Sequence, residues 1–198
     1  MPILSARLLL VPFVLALLGA KARRPSPAIQ TPMFITLFSF DRDEASEWSV
    51  VNDGVMGGRS AGFVAVEDGT LRFTGTLITQ GGGFTLTRAR RQVTLTGTTG
   101  LELRVRGNGR RFDVELDDGS RGYGRNVSHR ASFATTAEWT VVRVPYGALR
   151  STILGQKVNV PPIDLSRIQS VGLYMADGKD GLFRLEVDYI RAIADDGR

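Results

Sequence analysis

The chain has 198 residues, 42% of them hydrophobic and 23% charged, with 23 glycines and no cysteine. That is material for one domain with a real core, and it excludes a disordered or collagenous chain, disulfides, thiol chemistry and thiolate metal sites. The formal net charge of +5 is unevenly placed: Arg7, Lys21, Arg23 and Arg24 face no acidic residue before position 33, and without them 21 basic groups meet 20 acidic ones. A nearly neutral body does not carry the electrostatic footprint of a nucleic-acid binder, so no nucleic acid is expected as a partner.

In chain order, residues 8–20 form an apolar run broken only by Pro12 and Gly19. The run is too short for a comfortable membrane span. With Arg7 ahead of it and the small residues Ala20 and Ala22 behind, residues 1–22 read as a secretory signal. The stretch 23–32, with Pro25, Pro27 and Pro32, reads as a linker. The alternative makes Met33 the translation start and everything upstream a mis-called extension. Export or membrane association follows from the first reading and a cytoplasmic location from the second; neither leaves a transmembrane span in the domain. Mass spectrometry of the mature amino terminus distinguishes them.

From Met33 the apolar period is two. Leu71, Phe73, Gly75 and Leu77 alternate with Arg72 and Thr74; Leu101, Leu103 and Val105 with Glu102 and Arg104; Phe112, Val114 and Leu116 with Asp113 and Glu115; Phe183, Leu185, Val187 and Tyr189 with Arg184, Glu186 and Asp188. Further strand-like segments are 34–40, 48–51, 59–66, 83–89, 132–135, 139–144 and 171–175, with 127–133 strand-like around His129. Turn signals separate them at 67–69, 107–109, 117–119 and 177–178, where Gly, Asn and Asp tolerate positive φ. No long segment has helical periodicity; 145–151 and 164–170 each suit a single turn. The fold expected is an all-β sandwich or jelly roll of about ten mostly antiparallel strands. It occupies 33–193 as a single domain, with 194–198 as a tail.

Catalytic signals are sparse. His129 is the one histidine, so there is no second imidazole for a zinc site. No Gly-x-Ser-x-Gly occurs, and nothing places Ser60 near His129. Gly107-Asn108-Gly109 and Gly122-Tyr123-Gly124 lack the third glycine of a dinucleotide fingerprint and read as hairpin turns. Asp117-Asp118-Gly119 likewise reads as a turn rather than a pair of facing carboxylates or a calcium loop. The expectation is a protein that is not an enzyme, with no cofactor and no metal site.

The densest local signal is Trp48-Ser49-Val50-Val51-Asn52-Asp53-Gly54-Val55-Met56-Gly57-Gly58-Arg59-Ser60. It describes a strand end, polar side chains able to bond nearby backbone, and glycines that permit a tight reversal, with Met56 available to plug an apolar gap. Gly81-Gly82-Gly83-Phe84 echoes it, with Phe84 expected to pack inward. As a binding loop its functional residues would be Asn52, Asp53, Met56, Arg59 and Ser60. As architecture the same residues simply close the sandwich, and both readings stand.

The 51–60 segment behind Trp48, then Phe73-Thr74-Gly75, Gly82-Gly83-Phe84, Gly107-Asn108-Gly109-Arg110, Trp139 ahead of Pro145 and a closing strand at 183–190 together resemble the complex I intermediate-associated protein 30 family. The resemblance covers 34–193. It implies a galactose-binding-like β-sandwich without catalysis of its own, acting as an assembly factor or chaperone-like partner for a subunit or intermediate of a membrane complex. A carbohydrate-binding module is the alternative. Its aromatic platforms would be Tyr123, Tyr146 and Tyr174, since Trp48 and Trp139 start strands and are expected in the core.

Overall fold

In the computed structural model, which describes residues 33–40 and 47–195, the period-two segments become strands. In chain order these are β1 (Phe34–Phe38), β2 (Trp48–Asn52), β3 (Ala61–Glu67), β4 (Thr70–Leu77), β5 (Thr85–Val93), β6 (Thr98–Gly107), β7 (Arg111–Asp117), β8 (Arg121–Gly122), β9 (Arg125–Asn126), β10 (Ser128–Ala134), β11 (Thr140–Pro145), β12 (Arg150–Ile153), β13 (Gln156–Lys157), β14 (Ile168–Met175) and β15 (Gly181–Ala194). A six-stranded sheet runs β11-β6-β15-β4-β3, with β1 added along β15; a seven-stranded sheet runs β13-β12-β10-β7-β14-β5-β2; β8 and β9 form a separate ribbon. Every pairing among the described residues is antiparallel, which is what lets each sheet bury one face and leave the other solvated.

The two inner faces make the core. Leu71, Phe73, Leu103, Val105, Leu185 and Val187 from the six-stranded sheet meet Phe112, Val114, Leu116, Val171 and Leu173 from the other, all at most 1% exposed. Phe73, Phe112 and Phe183 form an edge-to-face cluster with centroids 5.0 to 6.5 Å apart, and each ring contributes about 1.5–3 kcal/mol by burial. A second cluster packs Phe38 and Phe40 on Trp48 at 5.0 and 6.0 Å.

Several local expectations resolve here. Residues Tyr146–Ala148 form one 3-10 turn, and Arg167 N–H donates to the Asp164 carbonyl at 3.4 Å in another turn. Gly122-Tyr123-Gly124 is a hairpin between β8 and β9, with Tyr123 and Gly124 at positive φ. Gly107-Asn108-Gly109 is not a hairpin: it carries the chain from β6 in one sheet to β7 in the other. Asn108 Oδ1 accepts from Arg184 N–H at 3.0 Å, and its Nδ2 donates to the Leu182 carbonyl at 3.1 Å. Trp139 is half-buried and lies outside the core, beneath the Arg104 and Arg106 guanidiniums at 4.9 and 4.7 Å. The short strands β8, β9, β12 and β13 escape a sequence reading, because two to four residues cannot display a period. The leader and linker at 1–32, with the localisation readings that hang on them, and the end of the tail at 196–198 lie outside the described residues.

Candidate functional site

The 53–60 loop closes around a carboxylate. Asp53 opens a 3-10 turn, Asp53–Met56, and is fully buried. Its Oδ1 accepts from Ser60 N–H at 2.8 Å. Its Oδ2 accepts from Ser60 Oγ at 2.6 Å, Gly83 N–H at 2.7 Å and Phe84 N–H at 3.3 Å. Burial pushes the carboxyl upward, but these donors outweigh it and hold Asp53 below the usual carboxylate range. A Cβ on Gly58 would stand 2.2 Å from the Asp53 carboxyl carbon, and one on Gly82 would stand 2.6 Å from its oxygen. Glycine at both positions is therefore the condition for two backbone segments to close on one side chain.

Asn52 works the same way, its Oδ1 accepting from Gly62 N–H at 2.9 Å and Thr85 Oγ1 at 2.7 Å. Ser60 also accepts from Ile78 N–H at 3.0 Å. Asn52, Asp53 and Ser60 thus tie β2, β3, β4 and β5 together from within. Met56 does not plug a gap; it is 58% exposed. Arg59 is exposed and donates to Gln80 Oε1 at 2.9 Å.

His129 is 2% exposed, with Nδ1 3.1 Å from Ser151 Oγ and Nε2 3.5 Å from Asp118 Oδ1. Its neighbours are therefore Ser151 and the equally buried Asp118, not Ser60 or Asp53. Asp118 is pushed up by burial but pulled down further by N–H groups of Asp164 and Ser120 and by the histidine, ending below the usual range. Neither residue lines the groove described next.

The outer face of the seven-stranded sheet forms a groove of about 1030 Å³. Register explains its lining: Arg130 stands level with Glu115, Gly172 and Arg88 across β10, β7, β14 and β5, and Ser132 with Asp113, Tyr174 and Leu86. Arg150, Thr152 and Lys157 extend it through β12 and β13, Arg125 and Asn126 come from β9, and Met56 and Phe84 wall one end. Its carboxylates are engaged. Glu115 pairs with Arg88, and Asp113 accepts from Ser132 Oγ. Asp177 pairs with Arg110 at 2.6 Å, and that guanidinium holds it below the usual range. Among the described residues, the lining cations Arg111, Arg125, Arg130, Arg150 and Lys157 make no ion pair.

Arg130 is the most buried of these, at 8% exposure. Its Nε donates to Thr152 Oγ1 at 3.2 Å, and its guanidinium sits 4.2 Å from the Tyr174 ring centre. Phe84 stacks on Tyr174 at 5.5 Å and 13°, so Phe84 packs outward in the groove and not into the core. With Phe84 stacked on the ring and Arg130 over it, the hydroxyl is what Tyr174 offers a ligand. Burial pushes that hydroxyl above the usual tyrosine range, keeping it a neutral donor. Tyr123 is 82% exposed at the β8–β9 tip, and Tyr146 is half-buried with its hydroxyl 2.8 Å from Thr98 Oγ1.

Of the groove residues the sequence singles out Met56, Phe84 and Tyr174; the others show in it only as polar alternates of strands. The polar alternation of 111–115 and 128–132 is the signal that was there; what it lacked was which strands lie side by side.

A family model described as complex I intermediate-associated protein 30 matches residues 38–187. The chain is 31% identical over 99 residues to the mouse mitochondrial complex I intermediate-associated protein 30, a match spanning 48% of this chain and 30% of that protein. Among solved structures, the family 11 carbohydrate-binding module of a Clostridium thermocellum cellulosomal cellulase superposes with a TM-score of 0.62 at 16% identity, covering 83% of this chain and 96% of the module. The agarase AgWH50C matches with a TM-score of 0.60 at 14% identity, covering 81% of this chain and 24% of the enzyme. At such identities the likeness is one of fold alone, a β-sandwich.

Proposed function

The chain belongs to the complex I intermediate-associated protein 30 family, and from that premise we propose that it is a non-catalytic binding protein that engages a subunit or intermediate of a membrane complex through the groove on its seven-stranded sheet. The observation that carries this reading is the groove itself. It gathers hydrogen-bonding and cationic side chains on a rigid sheet, while its three carboxylates are already bonded to Arg88, Arg110 and Ser132. A general acid and base need a proton to exchange with substrate; carboxylates committed to neighbours serve a binding surface better. The inward-turned Asn52, Asp53 and Ser60 supply the frame, and Met56 contributes an end wall.

Deleting the gene in its native host tests this. Native gels of membrane complexes should show incomplete complex I accumulating, and restoration by the full chain. An unaltered complex I profile contradicts the reading.

A carbohydrate ligand is the second reading, favoured by the exposed Tyr123 ring beside Arg125 and Asn126 at the groove margin. A glycan array that stays silent removes it.

A further inference from the structure

We infer that the groove takes an extended, acidic segment of a protein partner, recognised through its carboxylates. The inference rests on the reading of the groove as a protein-binding site and adds the chemistry of what lies in it. Three observations carry it.

The first is charge. Outside the leader the chain is close to neutral, yet five groove cations, Arg111, Arg125, Arg130, Arg150 and Lys157, have no ion-pair partner among the described residues. The six lining cations outnumber the three lining carboxylates, which are already bonded within the protein, and an excess of one sign along a concave, low-dielectric wall focuses the field on whatever enters.

The second is Arg130. Arg130, more than nine-tenths buried with the Thr152 hydroxyl and the Tyr174 ring as partners, has lost much of its hydration without an ion pair among the described residues, since Glu115 opposite it is held by Arg88, which is unfavourable. A ligand carboxylate arriving over it supplies that charge, with the fork of N–H donors suited to bidentate capture. The Tyr174 side chain lines the groove beside it and offers a neutral hydroxyl to a peptide backbone, while Thr152 and Ser132 are already bonded within the sheet.

The third is shape. From β5 through β14, β7 and β10 to β12 the groove crosses four strand spacings, roughly 20 Å, which an extended segment of about six residues spans. The Tyr174 ring is stacked on by Phe84 and covered by the Arg130 guanidinium, so it is already engaged where a neutral sugar would need an open aromatic platform. Leu86, Leu154 and Phe84 give apolar footing for alternate side chains of such a strand.

The test uses the full chain and a fluorescein-labelled peptide of roughly ten residues with Glu at alternate positions among Ser and Leu, next to the same peptide with Gln for Glu. Fluorescence anisotropy should show the Glu peptide binding at least about tenfold more tightly, an advantage that shrinks as salt rises from about 0.05 to about 0.3 M. Arg130→Met should abolish the preference. Because removing a buried group can disturb folding, the combined rim variant Arg125→Gln, Arg150→Gln, Lys157→Gln is measured alongside; it should fold like the parent and lose the preference by a comparable factor. Equal binding of both peptides, or retention of the preference by the folded rim variant, overturns the inference. So does tighter binding of tetragalacturonate or of a short RNA. If the acidic peptide fails while complex I intermediates still accumulate in the deletion strain, the acidic chemistry falls and the assembly role stands. If the peptide binds and complex I is unaltered, the reverse holds.

Discussion

The two outer faces of the sandwich are built from similar residues and use them differently. On the six-stranded sheet, cross-strand partners neutralise one another. Glu102, 1% exposed, holds Arg143 and Arg191 and accepts from the Tyr189 hydroxyl at 3.0 Å. Arg104 meets Asp188, Arg106 meets Glu186 and Arg72 meets Glu67, leaving Arg184 as the unpaired cation of that face among the described residues. At the seven-stranded sheet, four arginines and a lysine, one of them Arg125 from the β8–β9 ribbon, line a groove without such partners among the described residues. Exposed ion pairs stabilise little, so the lesson of the first face is not strength but silence: it presents few free charges to a ligand. The second face keeps its charge available.

That contrast can be broken by separating stability from binding. Glu102→Ala on the paired face should have the largest effect on stability, about 2–3 kcal/mol, because it removes the buried carboxylate that accepts from Arg191, Arg143 and Tyr189 while leaving the arginines partly solvated. Urea unfolding measures it, and affinity for the acidic peptide should be unchanged. Equal losses in both would mean that the faces are not independent.

Gly58→Ala should follow, at about 1–3 kcal/mol, since the added Cβ collides with the Asp53 carboxylate. The displaced loop carries Gly83 and Phe84 with it, so the near-ultraviolet circular dichroism of the Phe84–Tyr174 stack should change together with the melting temperature.

Acid should act next. Burial raises the carboxyls of Asp53 and Asp118, but bonded N–H groups and, for Asp53, Ser60 Oγ bring both below their ordinary values; Asp177 is lowered first by Arg110. The unfolded chain then binds more protons than the native one in acid. Their contribution is full above about pH 4 and is lost as pH falls through the depressed native values. Unfolding free energy measured between about pH 7 and about pH 3 should fall only at the acid end. Asp53→Asn should flatten part of that slope.

The smallest effect on stability belongs to the groove. Arg150→Glu, at an exposed position without an ion pair, should shift stability by under about 0.5 kcal/mol while weakening acidic-peptide binding by roughly tenfold or more. A large loss of stability there would show that the cation is structural and would narrow the difference between the faces.

The sandwich was legible because burial on one side imposes a period that single residues report: Leu71, Phe73 and Leu77 announce β4 unaided. The Asn52 to Ser60 loop was legible as a special segment, and its glycines are now accounted for by the close packing of Gly58 and Gly82 on Asp53. The groove was not legible. Arg88, Glu115, Arg130 and Arg150 come from β5, β7, β10 and β12, and only long-range register brings them into one row. The near-neutrality of the chain beyond residue 32 hid the segregation as well, since a net charge cannot tell a paired face from an unpaired one.

The most direct test places a photo-cross-linking amino acid at Leu154, 64% exposed on the groove rim, and separately at Val141, 52% exposed on the paired face. Both chains are expressed in the native host, irradiated and their adducts identified by mass spectrometry. Adducts to a membrane-complex subunit from position 154, with none from 141, are expected. Adducts to that subunit from 141 and none from 154 would contradict the assignment of the binding face to the seven-stranded sheet.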